Sequence, residues 1–110
     1  MRVKVFLPGP SRGWDLLRNA TPHPGTMIRR RLVRRAGGYR PDLSPVEDHD
    51  LFLRLAEITE FRPLPGKMLY LWRRHPASLT HTTPVRRGLP LVRKMRAEAI
   101  LRRYGFRVSW

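Results

Sequence analysis

The chain has 110 residues, a length that fits one small domain or a piece of a larger protein. Lysine and arginine number 23 against 8 acidic residues, which gives a net charge of +15, and arginine accounts for 20 of the 23. The absence of cysteine excludes disulfides and thiolate metal sites, and no apolar run approaches the roughly 20 residues of a membrane span.

The first third of the chain predicts short strands and helices. Residues 2–7 alternate basic and apolar side chains, which is typical of a strand, and they are too few for a signal peptide. A short helix is predicted at 14–20 and a buried strand at 26–28. Residues 29–36 have helical spacing, and Gly37 is expected to end that helix.

The strongest local signal begins at Ser44. This residue is predicted to be an N-cap, with Pro45 at the first helical position and Glu47 completing a capping box. We therefore expect a capped helix at 45–57. Its predicted apolar face consists of Leu51, Phe52, Leu55 and Ala56.

The rest of the chain predicts two extended segments, at 61–65 and 68–72, a loop or single turn at 76–83, and a long helix at 84–104. Pro90 is expected to kink this helix or to mark its true start. Its predicted apolar side consists of Val85, Leu89, Val92, Met95, Ala99 and Ile100.

The charge predicts an anionic partner, although an arginine-rich genome would produce the same excess. The 84–104 helix is basic opposite its apolar side, so it is expected to lie on an anionic membrane surface or, alternatively, to pack as an ordinary helix with solvated arginines. We divide the chain into a main unit at 1–83 and a basic amphipathic helix and tail at 84–110. A cytoplasmic location, peripheral at the inner membrane face, is expected.

Three of the eight acidic residues fall within four positions, at Glu47, Asp48 and Asp50. The simple explanation is the helix dipole, which favours acidic side chains in a first turn. Asp48 also precedes Phe52 by four residues, so it is expected at the edge of the apolar face. A partly desolvated carboxylate in that position is suited to general-base chemistry.

Four segments in this order resemble family 2 glycosyltransferases. Residues 23–30 (HPGTMIRR) are similar to the HPTVMxRR segment of that family, and residues 37–39 (GGY) resemble the GGY that follows it. Residues 44–56 (SPVEDHDLFLRLA) resemble the xxAEDYDLWLRLA helix. Residues 69–79 (LYLWRRHPASL) are similar to LxxYRxHPxSxS. Each segment alone would be a weak match, because short motifs recur by chance.

The resemblance implies the C-terminal, acceptor-side part of an inverting enzyme with an α/β fold. Such enzymes move a sugar from a nucleotide sugar to an acceptor hydroxyl, on a glycan or a lipid-linked molecule. The carboxylate that removes the acceptor proton corresponds to Asp48, and Glu47 would cap the helix beside it. Asp50 would interact with the helix dipole or would support the site residues without contacting the substrate.

Further site residues follow from the same resemblance. His75 would bind the metal or the leaving diphosphate, and His23 would lie beside the donor. Arg54 would pair with a carboxylate or reach phosphate. One or two of the four arginines that flank two of the matched segments would face the diphosphate, and these are Arg29, Arg30, Arg73 and Arg74. Trp72 would stack on sugar. For each of them, a solvated or core position is the alternative.

The pattern is incomplete on the donor side. No Asp-x-Asp motif occurs outside the acidic cluster, and no glycine-rich phosphate loop is present. We therefore expect the divalent cation (Mg²⁺ or Mn²⁺) and the nucleotide sugar to require a separate N-terminal half, without which the chain is inactive. The alternative is a small basic module that binds a partner protein or nucleic acid without catalysis, although the acidic cluster would repel phosphate.

Overall fold

The computed structural model describes residues 24–62, 73, 75–78 and 85–108. Within these ranges it contains three α-helices, namely α1 (Arg30–Ala36), α2 (Glu47–Leu55) and α3 (Val85–Tyr104), with a 3₁₀ turn at Pro41–Leu43 between the first two. No strand occurs in the same ranges. The predicted α/β class with short strands is therefore wrong for the described chain, which is helical.

The strand predicted at 26–28 is absent, because the backbone there leads directly into a helix. Arg29 has an extended conformation, and its carbonyl accepts the N–H groups of Leu32 and Val33 at 2.9 and 3.3 Å. This helical turn leaves no length for a strand. The predicted strand at 2–7, the helix at 14–20 and the extended segment at 68–72 lie outside the described residues.

The predicted end of α1 is confirmed. Gly37 has φ 92°, a left-handed conformation that glycine adopts without a steric penalty. Its N–H donates to the Arg34 carbonyl at 3.0 Å, and the Gly38 N–H donates to the Val33 carbonyl at 2.9 Å. This pair of bonds is a Schellman motif, which satisfies two of the carbonyls that a helix end leaves open.

Helix α2 was predicted over 45–57 with a capping box, and both the start and the cap are wrong. Ser44 follows the 3₁₀ turn, where its N–H donates to Pro41 at 3.1 Å, and a further turn joins Val46 to Leu43 at 2.7 Å. In these turns, the backbone N–H groups of Ser44 and Val46 make bonds that a helix beginning at residue 45 would not contain. Helix α2 therefore begins at Glu47, with Val46 as N-cap and no side-chain cap.

Two apolar clusters cover opposite sides of α2. Leu53 packs with Leu43 and with Met95 and Ala99 of α3 in the first cluster. The second cluster joins Leu51, Phe52 and Leu55 to α1 and the adjoining loops, and contains Ile28, Leu32, Ala36, Ile58 and Phe61. Burial on both sides makes α2 the central element of the described fold.

Helix α3 confirms the long C-terminal helix predicted at 84–104. It runs through Pro90, which is neither its start nor its end, and Gly105, with φ 75°, follows its last residue. Its inward side contains Met95 and Ala99, both fully buried. Among the described residues, no helix combines the length and the apolar character that crossing a membrane requires.

Candidate active site

The acidic cluster occupies the first turn of α2. Glu47, Asp48 and Asp50 all lie in that turn, where the helix dipole stabilises negative charge. Their environments differ greatly, because Asp50 is fully buried, whereas Asp48 and Glu47 are partly exposed.

Asp50 is balanced by two guanidinium groups. Its Oδ2 lies 2.8 Å from Arg54 Nη2 and accepts a hydrogen bond from Arg54 Nε at 3.0 Å. Arg40 Nε lies 3.6 Å from the same oxygen. These charges offset the large desolvation cost of a buried carboxylate. The other oxygen, Oδ1, is buried and accepts no hydrogen bond from a described residue.

Arg54 connects α2 to the end of α1 through hydrogen bonds. Its Nη1 donates to the Ala36 carbonyl at 2.5 Å, and its Nη2 donates to the Gly38 carbonyl at 2.6 Å. Both carbonyls belong to the helix end, where no further helical turn supplies donors. Since the guanidinium group also holds Asp50, Arg54 fixes the 37–38 turn relative to the acidic turn. The predicted pairing of Arg54 with a carboxylate is confirmed, whereas its predicted contact with phosphate stays a prediction.

Arg40 connects the same site to α3. Its Nη2 lies 2.7 Å from Glu98 Oε2, and Glu98 is on α3. Burial lowers the pKa of Arg40, but the hydrogen bond to Glu98 and the negative charges of Asp50, Glu98 and Asp42 outweigh it and raise the pKa above its ordinary value. The guanidinium group therefore stays charged. Through its contacts with Asp50 and Glu98, Arg40 holds α2 against α3.

Asp48 is the carboxylate of the cluster that combines partial exposure with a defined orientation. Its Oδ1 accepts the backbone N–H of His49 at 2.7 Å. Neither of its oxygens is in an ion pair with a described residue, so one oxygen can accept a proton from a ligand. Glu47 is also partly exposed, but its Oε2 is buried without a hydrogen bond from the described chain. Glu47 does not cap α2, which corrects its predicted role in a capping box.

The remaining predicted site residues are only partly covered by the structure. His75 is exposed and begins a turn, in which its carbonyl accepts the Ser78 N–H at 3.1 Å. His23, Trp72 and Arg74 lie outside the described residues. Their predicted contacts with donor and sugar stay predictions.

No cluster of three histidine, cysteine or acidic side chains in the described part of the chain is arranged to hold a metal ion. Glu47, Asp48 and Asp50 are close in sequence, but Asp50 already faces two arginines. The expected Mg²⁺ or Mn²⁺, with His75 as a ligand, stays a prediction that belongs to the donor side.

The importance of Asp50 was missed by sequence reasoning. The four-residue spacing between Asp50 and Arg54 was a usable signal, since such pairs face each other on a helix. Arg40 and Glu98 offered no comparable signal, because 58 residues of sequence separate them and no periodic pattern connects them.

We compared the chain with models of known protein families, with curated protein sequences and with solved structures, and none of them matches it. The sequence motifs and the geometry of the acidic turn therefore carry the functional argument.

Proposed function

We propose that the chain is the acceptor-side part of an inverting glycosyltransferase resembling family 2, in which Asp48 takes the proton from the acceptor hydroxyl. The observation that carries this proposal is the contact made by Arg54. It joins the GGY segment at 37–39 to the acidic helix, and these are two of the four segments on which the resemblance rests. A functional explanation of the motifs requires such segments to meet.

The chemistry assigned to Asp48 follows from its setting. A sugar hydroxyl is a weak nucleophile, and a carboxylate that removes its proton as the new bond forms contributes typically 10²–10⁴-fold to the rate. The hydrogen bond from His49 N–H orients Oδ1, and partial exposure lets an acceptor approach the carboxylate. Asp50 is unsuited to the same role, because its buried carboxylate already faces Arg54 and Arg40.

The nucleotide sugar and its divalent cation belong to a donor-binding half in this proposal. The chain supplies the base and part of the acceptor surface, while the partner half binds the diphosphate. Transfer to the acceptor hydroxyl releases the nucleoside diphosphate and inverts the anomeric carbon. The proposal places this reaction in the cytoplasm.

The test uses the chain reconstituted with a donor-binding half, a radiolabelled nucleotide sugar and an acceptor glycan. In Asp48→Asn the amide cannot accept the proton, so we expect kcat to fall on the order of 10²–10⁴-fold. Binding of the nucleotide sugar should change by less than about two-fold, because the substitution acts only on the transition state. Transfer rates and donor binding are measured on the same preparations.

Asp42→Asn is the matched control. Asp42 is an exposed carboxylate whose ion-pair partner is Lys94 at 3.9 Å, so its loss should leave kcat unchanged. If Asp48→Asn transfers sugar within a few-fold of the unmodified protein, Asp48 is not the base and the proposal fails.

A further inference from the structure

Five exposed arginines lie in or directly before α1. They are Arg29, Arg30, Arg31, Arg34 and Arg35. Within the part of the chain that the structure describes, none of the five forms an ion pair. Other arginines of the fold behave differently, since Arg40, Arg54 and Arg102 each bind a carboxylate. The α1 group therefore concentrates positive charge that no carboxylate of the described residues neutralises.

Four of these arginines share one face of the helix. Arg30, Arg31, Arg34 and Arg35 recur at one- and four-residue steps, which places them within an arc of about 140° and an axial length of about 8 Å. The opposite side carries Leu32 and Ala36, which pack against the α2 cluster. Packing thus directs the four side chains away from the core. We call them the arginine face.

The arginine face carries unfavourable electrostatics in the free protein. Arg30 and Arg34 are like charges at a four-residue spacing, as are Arg31 and Arg35, and such pairs destabilise a helix. The first turn has no acidic residue, so the helix dipole opposes Arg30 and Arg31. An anion bound across this face would remove both effects.

We propose that the arginine face binds an anionic membrane surface, with phospholipid phosphate and carboxylate groups as its ligands. A guanidinium group matches such oxyanions with two parallel hydrogen bonds. Met27, two residues before Arg29, is 99% exposed and supplies an apolar side chain for the boundary between headgroups and acyl chains. This exposed methionine favours a bilayer over a nucleic acid, whose backbone offers no apolar layer.

The arginine face differs from the C-terminal helix, whose expected membrane contact stays a prediction. That expectation used an apolar side containing Met95 and Ala99, and both are buried against α2. Arg102 and Arg103 are also engaged, because both bind Glu57. The arginine face has no such contacts with the residues that the structure describes. Its membrane binding does not depend on sugar transfer.

The experiment is co-sedimentation of the full chain with phosphatidylcholine vesicles, with and without phosphatidylserine, at low and high salt. We expect binding only to the anionic vesicles, and its loss at high salt, where charges are screened. A variant with Arg30, Arg31, Arg34 and Arg35 changed to glutamine should bind the anionic vesicles on the order of 600-fold more weakly, at about five-fold per arginine. Met27→Ser should bind several-fold more weakly at unchanged charge.

The matched control removes the same amount of positive charge from other parts of the surface. Four other exposed arginines are changed to glutamine, namely Arg62, Arg73, Arg93 and Arg107. This variant should keep binding within about ten-fold of the unmodified chain, since only the general charge has fallen. Far-ultraviolet circular dichroism and thermal unfolding establish that both variants are folded.

Three outcomes would overturn the proposal. Equal sedimentation with neutral vesicles would remove the role of charge, and an equal loss in the control variant would remove the role of this face. If the glutamine variant loses retention on duplex DNA but sediments with anionic vesicles as the unmodified chain does, the face binds nucleic acid instead. Sugar-transfer activity is not a readout in any of these measurements.

Discussion

At Asp50, burial of a carboxylate is stabilised by contacts from two directions. Arg54 approaches from the same helix and Arg40 from the preceding segment, and both contact Oδ2. Each arginine then binds a different neighbour, either the end of α1 or Glu98 on α3. One side chain thus sets the position of the acidic turn relative to both flanking helices.

Asp50→Asn should lower the free energy of unfolding by about 3 kcal/mol, because removing one partner leaves buried charge uncompensated. The amide also presents hydrogen-bond donors to guanidinium groups that have only donors. Urea unfolding followed by circular dichroism measures the change.

For comparison, Asp42→Asn removes an exposed ion pair with Lys94 and should cost less than about 1 kcal/mol. If the two variants unfold at the same urea concentration, Asp50 does not organise the site.

At the residue scale, local signals predicted the helix end at Gly37 correctly and the N-cap at Ser44 wrongly. Gly37-Gly38 predicted a helix end, because a left-handed backbone is a property of the residue itself. Asp48 was predicted at the edge of the apolar face and is partly exposed, but the more deeply buried carboxylate is Asp50, two residues later. The four-residue spacing to Arg54 was a local signal for Asp50, whereas local spacing contains no information about Arg40 and Glu98.

The helices themselves could be predicted with less error than their boundaries. Helices 29–36 and 84–104 agree within a residue with α1 and α3, since both have long-range apolar periodicity or a glycine stop. The capping box at Ser44 is absent because turns at 41–46 compete for the same backbone. The strand at 26–28 is absent because its backbone leads directly into α1. Ile28 packs in the second cluster, whereas Met27 is exposed.

Gly37→Ala tests the end of α1. A side chain at φ 92° is strained, and the free energy of unfolding should fall by about 1–2 kcal/mol. Space does not limit the substitution, because the nearest atom to an added Cβ is Arg54 Nη1 at 3.6 Å. Thermal unfolding measures the loss.

Gly88→Ala is the opposing control, because Gly88 lies inside α3 without a left-handed backbone. An added Cβ would contact Val46 Cγ1 at 3.6 Å, an ordinary packing distance. Alanine should stabilise α3 by up to about 1 kcal/mol. Destabilisation by Gly88→Ala together with tolerance of Gly37→Ala would contradict the assigned helix boundaries.

At the scale of the whole molecule, charge repulsion competes with a small number of ion pairs. The chain has 23 basic and 8 acidic residues, so its positive charges outnumber its negative charges by 15. Exposed ion pairs contribute only about 0–1 kcal/mol each, and buried ones such as Asp50–Arg54 are weakly screened by salt. Screening should therefore weaken repulsion more than attraction.

We expect the melting temperature to rise as sodium chloride is added. Circular dichroism melts in sodium chloride and in an uncharged osmolyte at matched osmolality separate screening from a general solvent effect. A melting temperature that falls with salt would mean that ion pairs such as Glu57–Arg102 outweigh the repulsion.

The order of synthesis gives the double-sided packing of α2 a kinetic consequence. Leu53 and Asp50 depend on Met95, Ala99 and Glu98, which the ribosome adds more than forty residues later. One apolar side of the nascent α2 therefore stays exposed to water until α3 has been synthesised. During that interval, chaperones and proteases can bind the exposed segment. The acidic turn reaches its final surroundings only after α3 has been synthesised.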